Sequence, residues 1–219
     1  SIMVLTINDL LKSLNPNLDA KRRTRLEVAF RSLGSQDEYC RYHYEEFHKQ
    51  HQLFLDAMAG KLVNAEVQNP QYFRLVFEAN CFAFFRAFHA LIESVPYLLN
   101  LLIEVEKDSE SRSINWRLIT QAGASKGYSD VINKIRAMRE SSSYKALEHI
   151  SNVSKHRRIV RIDGGVFCKE KSASFCADDF DMPLKTYEIN ELMETIYDEL
   201  HPQVINIIKG FLSQDAKYS

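Results

Sequence analysis

Asn152 and His156 lie four residues apart in the segment Ser143 to Arg161, and with His149 they recur at steps of three and four. That spacing sets the three along one polar edge of a helix. Histidine titrates near neutral pH and can move a proton during a reaction. Lys155, Arg157, Arg158 and Arg161 then put four cations within seven residues, in a chain whose formal net charge is only -1. Cations at this density suit phosphate contact, and one or two of them are also accounted for by the dipole at a helix C-terminus. Ala146, Leu147, Ile150 and Val153 recur on the other side as an apolar stripe, so the edge rides on a packed helix.

Two further constellations carry donors. Between Cys40 and His51 stand His43, Glu45, Glu46, His48 and His51, three of the seven histidines within nine residues. Glu45 and His48 have the Glu-x-x-His spacing of bundle metal sites, but no second pair of that spacing accompanies them. A metal site and a solvated polar face are both open there, and no cofactor is expected. Arg86, His89 and Glu93 form a polar line on an otherwise apolar segment, where pairing among themselves or the lining of a cleft would satisfy them. No glycine-rich phosphate loop, nucleophile elbow or zinc-protease motif is present.

The 219 residues, 45% hydrophobic and 26% charged, suit one large domain with a core that needs no disulfides. Near-neutral charge excludes a polycation that coats nucleic acid over its whole surface, so any such footprint is local. Cys40, Cys81, Cys168 and Cys176 are scattered without a C-x-x-C pair, which reads as reduced thiols. Neither a run of about 18 uncharged apolar residues nor a basic leader before an apolar run is seen. The expectation is a cytoplasmic protein that engages no membrane.

Periodicity predicts a largely helical chain. Thr6 to Leu14 reads as a capped helix stopped by Asn15-Pro16-Asn17, and Asp19 to Leu33 as a second with Gly34 as its C-cap. Its basic start, Lys21 to Arg25, reads as a solvated face. A long helix from Gln36 to about Val63 and an aromatic spine from Gln71 to about Lys107, kinked or broken at Pro96, come next. Asp108 to Gly127 is a connector with one short helix anchored by Trp116, followed by a helix over Ser129 to Arg139 and then by the helix of Asn152 and His156. Asp163-Gly164-Gly165 between Ile159, Val160, Ile162 and Val166, Phe167 predicts a hairpin over about 158–170. An acidic loop through Asp178, Asp179, Asp181 and Pro183 leads to a last helix from about Thr186, its cap, to Phe211, interrupted at Pro202. The expected fold is all-α: an antiparallel helical bundle with a minor β-hairpin. It is read as a single domain over 1–219, with residues 1–34 as an N-terminal appendage to a bundle over 36–212.

Asn152-Val-Ser-Lys-His156 resembles the signature of the HEPN superfamily (higher eukaryotes and prokaryotes nucleotide-binding), small helical bundles marked by an arginine, a following polar residue and a histidine a few residues on. His156 matches the histidine and Asn152 the polar residue, while Ser151 stands where the arginine belongs. The aromatic helix upstream, the late motif and the closing helix are similar to the family's layout over roughly residues 36–212. The resemblance implies a homodimer that binds RNA or a nucleotide through Asn152, Lys155, His156, Arg157, Arg158 and Arg161. It also implies metal-independent ribonuclease chemistry of toxin or phage-defence type, with His156 and Asn152 at the reacting phosphate. Serine at 151 cannot supply a clamp of the kind whose loss costs about 3 kcal/mol of transition-state stabilisation. The other open reading is a non-enzymatic helical dimer whose basic end meets an acidic protein partner.

Overall fold

The computed structural model describes residues 5–14, 19–62, 69–175 and 186–212. Among these are seven helices: α1 (Ile7–Lys12), α2 (Ala20–Met58), α3 (Pro70–Ile103), α4 (Trp116–Ser125), α5 (Ser129–Glu140), α6 (Ser142–His156) and α7 (Ile189–Leu212). Three short strands, β1 (Ile162–Asp163), β2 (Ser174–Phe175) and β3 (Tyr187–Glu188), form one antiparallel sheet in that order. The fold is therefore all-α with a minor hairpin, as expected. The predicted turn at Asn15 to Asn17, the helix end at Val63, Cys176 and the acidic loop lie outside the described residues.

The chain divides into two compact units. One is drawn from Ser1–Gln36, Ala90–Tyr144 and Glu199–Ser219, the other from Asp37–His89 and Lys145–Asp198. In the first, Thr6 and Asp9 form a capping box that starts α1, and Asn115 accepts from Leu118 N–H to start α4. Tyr128 packs its ring 4.9 Å from Phe211, and Val131 lies so close to Gly210 that a Cβ there would sit 2.6 Å from it. Glycine is what lets α5 and α7 approach.

The C-terminus of α3 is closed by side chains from far along the chain. Glu104 takes φ 53°, which ends the helix, and buried Asn100 bonds the Glu106 backbone through both ends of its amide. Arg22 donates to the Asn100 and Leu101 carbonyls, and Lys126 to the Ile103 carbonyl at 2.8 Å. The Leu101 and Ile103 carbonyls lie in the last turn, where the helix supplies no further N–H, and the Asn100 carbonyl also accepts Glu104 N–H at 2.9 Å. The basic start of α2 is thus not simply a solvated face: Arg22 is bonded here, and Arg25 donates to buried Ser109 and lies 3.5 Å from Glu110.

In the second unit α2 runs antiparallel to α3 and α7. His43 meets Asn80 and Phe47 meets Phe77, while Tyr197 donates to Asp37 and Tyr44 to Glu194. Phe77, fully buried, touches Phe47, His51 and Phe54. Further along α3, Phe82 and Phe85 pack on Phe175 of β2, which anchors the small sheet to the helices.

Four expectations about punctuation are corrected. Gly34 does not cap a helix; α2 runs through it without a break, because an interior glycine costs only about 1 kcal/mol, less than packing supplies. Pro202 does not break α7, its lost hydrogen bond outweighed by buried neighbours such as Leu200 and Val204, while at Pro96 the single helix, one of the two outcomes left open, is the one found. The hairpin returns at Ser174 and Phe175 rather than at Val166 and Phe167, with Ile162 opposite Phe175. The cap of α7 is the Glu188 carboxylate, which accepts from Asn190 and Glu191 N–H, rather than Thr186.

Candidate functional site

On α6 the two stripes separate as their spacing requires. Leu147, Ile150 and Val153 are buried, whereas Asn152, Lys155 and His156 are exposed and His149 is half-buried. Arg157, Arg158 and Arg161 follow, exposed, on the way from α6 into β1. All six residues proposed to meet phosphate therefore face water along one continuous run of chain. Ser151, the position of the absent arginine, faces the other way. It is 1% exposed and its hydroxyl has no hydrogen-bond partner among the described residues. An arginine at that position would have its charge in the core, so serine fits the site it occupies.

The end of α6 is fastened from α3. Arg86 donates through Nε to the Ser154 hydroxyl at 3.1 Å and through Nη2 to the Ser154 carbonyl at 2.5 Å. A guanidinium on a C-terminal carbonyl satisfies an orphan acceptor and favours the negative end of the dipole. Arg157 and Arg158 N–H both close on the Val153 carbonyl at 3.0 Å, which ends the helix beside His156. Arg86 thus holds the turn that carries the candidate residues. Sequence alone places it on a polar line with His89 and Glu93, and only the fold shows where it reaches. Glu93 accepts from Tyr144 Oη at 2.6 Å, and His89 is buried.

The histidines of α2 go to separate partners. Asn80 donates its amide to the Val76 carbonyl, so its Oδ1 accepts and His43 Nδ1 carries the proton at 2.8 Å. His48 lies edge-on to Tyr44 and Phe47. His51 stacks on Phe47 and bonds the Gly164 carbonyl at 2.8 Å; a carbonyl only accepts, so Nε2 is the donor. Among the described residues no three His, Cys, Asp or Glu side chains converge to hold a metal ion. Burial pushes the Cys40 thiol up to about 12 and that of Cys81 up as well, which leaves both protonated and poor nucleophiles.

Burial lowers the His51 pKa below its ordinary 6.5, with His48 acting in the same direction and the Gly164 carbonyl and Glu188 against it. The folded state holds His51 neutral, so its contribution is complete above about pH 6.5 and lost as pH falls below that value. Urea unfolding at pH 7 and at pH 5 should give a lower midpoint at the acid end. A His51→Gln variant should show a smaller acid loss.

Compared with family models, curated proteins and solved structures, the chain matches none. α3 is, by length and composition alone, apolar enough to cross a membrane, with half of its most apolar window buried inside the protein.

Proposed function

We propose that this chain is a HEPN-like homodimer that binds RNA or a nucleotide through the exposed end of α6. The observation that carries the reading is the exposure of Asn152, Lys155, His156, Arg157, Arg158 and Arg161 on a turn fastened by Arg86. Phosphate contact by several cations held on a fixed backbone loses little ordering entropy, and counterion release then drives association. Binding is the main activity. Cleavage, if it accompanies binding, is metal-independent and weak, because position 151 supplies no cation next to His156.

A labelled RNA oligonucleotide titrated at two salt concentrations tests the binding. The wild type should lose affinity steeply with salt, and an Arg157→Ala, Arg158→Ala double variant should flatten the log–log slope by about 1.4, the share of two phosphates on a single strand. RNA incubated in chelator with wild type and with His156→Ala reads the cleavage on the same preparations. A wild type that binds no RNA even at low salt overturns the proposal.

A further inference from the structure

Phe167 is 99% exposed, the most solvent-accessible large apolar side chain among the described residues. Full exposure of a phenyl ring forgoes the burial that normally drives phenylalanine inside. A floppy loop would explain it, but the segment between β1 and β2 is fastened. Cys168 N–H bonds the Gly165 carbonyl at 3.1 Å, Lys171 N–H bonds the Cys168 carbonyl, and Lys171 Nζ reaches the Val166 carbonyl. Gly165, at φ 77°, approaches Ser172 so closely that a Cβ would lie 2.3 Å from its carbonyl oxygen. One residue earlier, His51 holds the Gly164 carbonyl and Phe54 packs where a Gly164 side chain would be. The ring is therefore displayed by a closed loop.

Its neighbours in the chain are charged, with cations in slight excess. Exposed Lys169 and Lys171 follow it with exposed Glu170 between them, and exposed Arg161 and Asp163 precede it, Arg161 by six residues, which cannot span more than about 22 Å. Nucleic-acid sites that track a backbone with cations and stack bases on aromatic rings extend over roughly 4–16 nucleotides, so one strand can reach both. Duplex RNA offers the same phosphates but keeps its bases stacked inward, and only unpaired bases can lie on a ring.

We infer that Phe167 is a base-stacking platform that gives the α6 surface a preference for unpaired over paired RNA. The inference rests on the RNA-binding reading above and adds the class of strand. Base stacking at one ring is worth about a 5- to 150-fold change in affinity by alanine substitution. Phe167→Ala should weaken binding of a single-stranded oligonucleotide by that factor and leave binding of a blunt-ended two-strand duplex, and the salt slope of both, unchanged. Phe167→Trp should restore the affinity and add a quench of indole fluorescence on binding, while Phe167→Leu should not restore it.

The possible failures separate. Wild type that binds neither RNA form defeats the RNA-binding reading and this inference with it. Equal binding of both forms, indifferent to Phe167→Ala, leaves the RNA-binding reading standing and overturns only the platform. Binding to vesicles containing anionic lipid that survives Phe167→Leu but not Phe167→Ala, with no single-strand preference, assigns the ring to a membrane surface and also overturns it.

Discussion

Replacing Phe85 by alanine should lower the free energy of unfolding by about 3–5 kcal/mol, the range for a fully buried ring. Phe85 is 0% exposed, stands edge-on to Phe84 at 5.3 Å and lies 6.1 Å from Phe175. Its removal leaves a cavity between α3 and the second strand, and neither neighbour can collapse into it without losing its own packing. Denaturant melts followed by far-ultraviolet circular dichroism measure the loss as a shift of midpoint at constant slope. Because Phe175 is the residue that ties the sheet to α3, the variant should also speed proteolysis between β1 and β2. A loss below about 1 kcal/mol would mean that the sheet is not anchored there.

Gly165→Val should cost about 2–5 kcal/mol, from a strained left-handed backbone and from overpacking against Ser172. A β-branched side chain at φ 77° is disfavoured before any contact is considered, and here its Cβ would lie 2.3 Å from a carbonyl oxygen. Backbone cannot move aside as a flexible side chain can, so the loop must open. The effect should be local: thermal melts shift, and amides of residues 165–172 lose protection from hydrogen exchange before those of α3. Equal loss of protection throughout would show that the loop and the helices unfold as one.

The helices were largely legible because they bury one face. Leu147, Ile150 and Val153 set the inner side of α6, and the same spacing placed Asn152 and His156 outside. Punctuation was harder to read. Gly34, Pro96 and Pro202 are local signals, and tertiary packing on long helices overrides signals worth a few kcal/mol. The return strand was misplaced because Val166-Phe167 looks like a strand pair, whereas the ring that reaches the helices belongs to Phe175. Contacts such as Arg86 with Ser154, 68 residues apart, leave no trace in a periodicity, nor does the assignment of His51 to a glycine carbonyl. Of the candidate surface, the cations and His156 were readable from spacing; the exposure of Phe167 was not, since phenylalanine is among the residues most often buried.

Neither unit is a continuous length of chain, and this bears on how the protein is made. Each needs α7: Tyr128 waits for Phe211 in one, and Phe88 for Tyr197 in the other. A ribosome adds about 5–20 residues per second, so the apolar face of α3 is exposed for several seconds before the residues that cover it are translated. For that interval the most hydrophobic helix of the nascent chain is a client for any holdase that binds apolar segments. Shortening the message to remove α7 would release a polypeptide that neither unit can complete.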